Sequence, residues 1–123
     1  MVGGTNGTVY QYTLSTAWDV STATYASKSK SVGTQDILPY GIAFSSDGFK
    51  MLILGTTNDT VYHYTLVTAW DVSTATYASK SVYLGAQDTQ SYDIAFSSDG
   101  KKMYMVGGAN DTVYQYTSSA LRI

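Results

Sequence analysis

Few side chains in this sequence can do chemistry. His63 is the single histidine, glutamate and cysteine are absent, and all nine acidic residues are aspartates. Without a thiolate, and with one histidine and no glutamate, neither a nucleophile triad nor a zinc site can be assembled within one chain. His63 occupies a position held by Gln11 and Gln115 in two related stretches. That equivalence favours a strand residue with a polar tip over a catalytic base. The expectation is therefore no catalytic residue, no metal and no cofactor.

Oxygen-bearing and aromatic residues leave room for binding. Asp47-Gly48, Asp99-Gly100, Asn58-Asp59 and Asn110-Asp111 carry oxygen atoms of the kind Ca²⁺ takes, but their spacing matches no dedicated calcium loop. They read as turns whose short side chains satisfy backbone amides. Trp18 and Trp70 sit in near-identical stretches, STAWDVSTATY and VTAWDVSTATY. An indole there can stack on a sugar or fold back as a plug over the open end of its own sheet, and the plug is favoured. A third group, Gln35, Asp36, Tyr40, Gln87, Asp88 and Tyr92, falls in two matching loops. With Asn58, Asp59, Asn110 and Asp111 these residues make a candidate ligand-binding face, against the plainer reading of a solvated loop face. The loops hold no Arg or Lys for an anion, so a ligand of this face is expected to be neutral or weakly cationic and polyhydroxylated.

A 52-residue repeat positions these residues. GIAFSSDGFKMLILGTTNDTVYHYT at 41–65 recurs as DIAFSSDGKKMYMVGGANDTVYQYT at 93–117, and its second half stands at 1–13. Apolar runs bounded by Ser-Asp-Gly and Asn-Asp turns read as antiparallel strands. One complete unit is predicted over 41–45, 50–55, 60–66 and 76–84. Partial units flank it, with strands at 8–14 and 24–32 before and at 94–97, 101–107 and 112–117 after. Residues 42–44 and 94–96 are continuously apolar, as in a strand covered on both faces, so Phe96 is expected to be buried between neighbouring sheets. The small Ala43 and Ala95 suit a crowded axis. Lys28 and Lys30 suit an exposed outer edge. After Thr117 the repeat decays, SSALRI standing at 118–123 where LVTAWD is due, so no fourth strand is expected there.

Bulk properties exclude some classes. The apolar content of 44% is that of a globular chain, while a net charge of -2 and a single arginine argue against nucleic acid as partner. The longest apolar run, 51–54, is too short to insert in a membrane. Localisation is undetermined.

The text AFSSDGKKMYMVGGANDTVYQYT resembles the YVTN-type repeat of the tryptophan-aspartate-like β-propellers, whose units follow A-F-S-P-D-G-x-x-x-Y-V and a later T-V-x-V-x-D strand. Ser46 and Ser98 replace the proline of that pattern. Trp18-Asp19 and Trp70-Asp71 lie in a connection and not at a strand end, so the Asp-His network of the tryptophan-aspartate class is not carried over. The resemblance implies an all-β fold of four-stranded antiparallel blades, about two and a half per chain, divided 1–40, 41–92 and 93–123. It also implies a range of functions that includes lectins, lactonases, quinoprotein relatives and plain interaction surfaces.

Two expectations follow. In function, near-identical repeats favour a non-enzymatic binding or structural module that engages a glycan or protein, with a propeller enzyme of the lactonase or quinoprotein-like kind as the alternative. In assembly, an arc of two and a half blades exposes two apolar sheet faces, which favours a homo-oligomeric ring with one blade shared at each junction. The fourth strand would be donated by residues 24–32 of the next chain. If all strands are used, two chains make five blades; if one copy of the duplicated second and third strands is displaced, three or four chains make six or eight.

Overall fold

The computed structural model describes residues 1–117; the expectation that no fourth strand follows Thr117 lies outside them. Ten strands are present among the described residues: β1 Val2–Gly3, β2 Thr8–Leu14, β3 Ala23–Ser31, β4 Pro39–Phe44, β5 Lys50–Gly55, β6 Thr60–Leu66, β7 Ala75–Tyr83, β8 Ser91–Phe96, β9 Lys102–Gly107 and β10 Thr112–Thr117. They form three antiparallel sheets in plain sequence order, β1-β2-β3, β4-β5-β6-β7 and β8-β9-β10. The middle sheet is the complete four-stranded meander. Its inner strand begins at Pro39 and not Gly41, because the Pro39↔Gly55 pair forms beyond an irregularity at Tyr40.

Turn chemistry sets these strands. In each Ser-Ser-Asp-Gly turn the aspartate Oδ1 accepts from the serine hydroxyl two residues before it and from the amide two residues after it, at 2.7 and 3.0 Å for Asp47 and for Asp99. Glycine follows with φ of 77° at Gly48 and 73° at Gly100, a region that costs most side chains energy. The outer strands β3 and β7 break register opposite Gln11/Tyr12 and His63/Tyr64, where Ser27 and Ser79 take positive φ. Such bulges twist an edge away from stray pairing, as their lysines also do.

The sheets pack face to face. Met51 and Ile53 point to one side of β5, into a cluster with Val9, Val32, Tyr62, Tyr64, Leu66, Val72 and Ala75. Leu52 and Leu54 point to the other side and pack with Val61, Leu84, Ile94, Met103 and Met105. Each such aliphatic side chain contributes about 1.5–3 kcal/mol when fully removed from water. Burial on both faces is confined to the middle sheet. Leu54 and Val61 are 0% exposed, whereas their equivalents Val106 and Val113 are 40% and 65% exposed. Ala95 is exposed for the same reason, since among the described residues nothing covers the far side of the third sheet. The expectation that Phe96 is buried between sheets is corrected on another ground: it faces the middle sheet and packs against Leu52 and Met103, but is half-buried because it lines the open groove at the Ser-Ser-Asp-Gly end of the two sheets.

Candidate functional site

One end of the sheets carries the loops of Asp36 and Asp88. Asp36 is buried, and its carboxylate accepts the amides of Leu38 at 2.8 Å, Thr57 at 3.3 Å and Asn58 at 2.9 Å. Asp88 repeats this with Gln90 at 2.8 Å, Ala109 at 3.2 Å and Asn110 at 3.0 Å. Burial pushes the Asp88 carboxyl up, but those three amides outweigh it and hold the group below the usual carboxylate range. Gly55 and Gly107 make the fit possible, because a Cβ at either would collide with the carboxylate of Asp36 or Asp88.

The neighbouring amides and hydroxyls are similarly engaged. Gln35 accepts from the Tyr64 hydroxyl at 2.6 Å, and Gln87 from that of Tyr116 at 2.7 Å. Burial raises the pKa of both phenols above the ordinary value, which keeps them protonated as donors. Asn58 and Asn110 donate to the carbonyls of Gln35 and Gln87 at 3.1 and 3.0 Å, and to the hydroxyls of Tyr62 and Tyr114. Asp59 accepts from the Ser91 hydroxyl at 2.9 Å and so ties the middle sheet to the third. Its equivalent Asp111 is exposed. Asn58, Gln87 and Asn110 are exposed too, and Tyr40 and Tyr92 are the equivalent aromatic pair on this face, each 51% exposed at the start of the adjacent inner strands β4 and β8.

At the opposite end, the Trp70 loop lies on the turn of its own sheet. The Trp70 ring covers Gly48, its amide donates to the Gly48 carbonyl at 3.0 Å, and it meets Phe44 at a ring-centroid distance of 5.6 Å. Half of its surface stays open at 52%, while Trp18 stands 96% exposed. The two tryptophans are therefore not brought together with the loop face, nor with each other's environment. Behind each, Asp19 or Asp71 caps a 3₁₀ turn, Val20–Thr22 or Val72–Thr74, by accepting from Ser21 or Ser73.

Three features were missed in the sequence. His63 is not a polar tip but is 2% exposed, with neither ring nitrogen partnered among the described residues. Burial lowers its pKa, helped by Lys80 and Lys50. Gln11 and Lys28 reach across to the next unit, to the Val72 amide and to Asp71, both at 3.0 Å. Asp93 is an exposed carboxylate at a position where the other copy has Gly41, and it lies against that glycine. The difference between copies was the available signal for Asp93. Among the described residues no three His, Cys, Asp or Glu side chains gather into a metal site.

No protein-family model matches this chain, and no curated protein matches it. Among solved structures it is similar to a protein of Bacteroides uniformis described as a "putative 6-phosphogluconolactonase", at 17% identity and a TM-score of 0.58 over 90% of this chain. The chain spans 33% of that protein's length. Similarity at this identity bears on fold alone, and with the three consecutive meanders it makes this an all-β chain of β-propeller blades.

Proposed function

We propose that this chain, built of repeats of the YVTN type, is a non-catalytic binding module whose loop face presents Tyr40 and Tyr92 to a neutral, polyhydroxylated ligand. One observation carries the reading. Asp36, Asp59, Asp88 and the side-chain amides of that face are engaged in backbone and side-chain hydrogen bonds, while the two equivalent tyrosines remain half open on neighbouring inner strands. Aromatic faces stack on the apolar faces of sugar rings, and fixed loops hold them at little entropic cost. A glycan array read beside a panel of ester and lactone hydrolysis assays tests it. Binding of neutral glycans without hydrolysis supports the module.

A second reading, a hydrolase of sugar lactones, draws on what the solved relative is described as and on one feature of this chain. Asp93 is an acid unique to one copy and stands exposed on β8. Lactone hydrolysis that disappears in Asp93→Asn would favour this reading over the first.

A further inference from the structure

The two halves of one contact stand apart in this chain. In the complete sheet the Trp70 loop rests on Gly48 and is gripped from the preceding sheet, where Gln11 accepts the Val72 amide and Lys28 pairs with Asp71. Gln11 and Lys28 are cross-strand partners. One repeat later the corresponding cross-strand partners are His63 and Lys80, and the corresponding turn is that of Gly100. Here a groove of about 460 Å³ lies open between the Gly48 and Gly100 turns, lined by His63 and Phe96. Neither nitrogen of His63 has a partner, and a Cβ at Gly100 would meet nothing within 4 Å among the described residues. The loop that fits such a groove is also present and unused. Val20 is 82% exposed where Val72 is 4%, and Trp18 projects into solvent.

We propose that the groove beside His63 receives the Trp18 loop of a second copy of this chain. Trp18 then lies over Gly100, the Val20 amide donates to a His63 ring nitrogen, and Lys80 pairs with Asp19. Charge and shape agree with the contact already made inside the chain, where a Lys–Asp and a Trp–Gly pair meet in the same register and Gln11 stands in the place of His63. The β2-β3 hairpin carrying the loop adds to β9 in place of β10. Residues 8–13 and 112–117 both read TVYQYT, so the exchange reproduces the six pairs β9 makes with β10, while β1 gives up its two pairs with β2 to β9 of the other copy. The result is a four-stranded blade, β8 and β9 from one copy and β2 and β3 from the other. Each chain then contributes two blades to a head-to-tail assembly, and a heterologous contact of this kind closes into a ring when its rotation permits. The inference stands independently of what the loop face binds.

Light scattering on the 123-residue chain at micromolar concentration tests it, with Trp18→Ala and Lys80→Glu measured alongside. The wild type is expected at a multiple of 13.3 kDa. Trp18 touches little within its own chain, so Trp18→Ala should keep the wild-type circular dichroism and weaken association about 30-fold or more, as loss of a buried tryptophan anchor does. Lys80→Glu should weaken it several-fold. A wild-type monomer overturns the proposal. So does an assembly that Trp18→Ala leaves intact.

Discussion

The Gln11 side chain accepts a hydrogen bond from the Val72 amide, which lies 61 residues away in the next sheet. That bond joins one repeat to its successor at a site where Val72 is buried. Gln11→Ala orphans a buried donor and is expected to cost about 1–3 kcal/mol in urea denaturation. An unchanged midpoint would mean the amide finds another acceptor.

Trp70 and Gly48 make a second specific pair. At Gly48→Ala the new methyl enters the indole and the residue keeps φ at 77°, so a loss of about 2–4 kcal/mol is expected from overpacking plus left-handed strain. Gly100→Ala meets only the strain and should cost about 1–2 kcal/mol, measured at concentrations low enough for the monomer. Equal losses would show that the indole yields.

His63 gives the chain a pH dependence. Its folded pKa lies below the ordinary value, chiefly through burial, so between the two values the unfolded chain binds more protons and stability falls with acid. Stability is complete above the unfolded value of about 6.5 and is lost as pH falls below it. His63→Gln, the residue of the other copies, should flatten the stability curve below the unfolded value of about 6.5. Asp88 adds a second, lower window. Its folded pKa is depressed, so its contribution is present above the unfolded carboxylate value and is lost as pH falls through the folded one. Curves of equal slope for wild type and His63→Gln would contradict the His63 assignment.

Much of this architecture was legible because the repeat and its turns are local. The 52-residue spacing, the SSDG and Asn-Asp turns and the apolar runs locate β5, β6 and β10 at their observed ends. The role of Asp36 was not legible, since its three amides come from residues two to 22 positions away and their convergence is tertiary. The same holds for His63. A histidine in a glutamine register looks solvated until its burial beside its cross-strand partner Leu52 is known. Exposure of Ala95, Val106 and Val113 was misjudged because apolar periodicity reports what a face requires and not whether a neighbour is there to supply it.

Asp36 separates a latch from a catalytic acid. Asp36→Asn keeps the shape but presents at best one acceptor oxygen to three amides, and the expected loss is about 1.5–3 kcal/mol. Differential scanning calorimetry should register it as a lower midpoint, with ligand affinity of the folded fraction unchanged. Full stability in Asp36→Asn would refute the latch.

The most direct measurement for the loop-face account is calorimetric titration of Tyr40→Ala and Tyr92→Ala against the neutral glycan that the array ranks first. Each substitution is expected to reduce affinity by about tenfold, in line with about 1.4 kcal/mol for a lost stacking face, and both together should abolish binding while circular dichroism stays that of the wild type. Undiminished binding in the double variant would contradict a loop-face site built on Tyr40 and Tyr92.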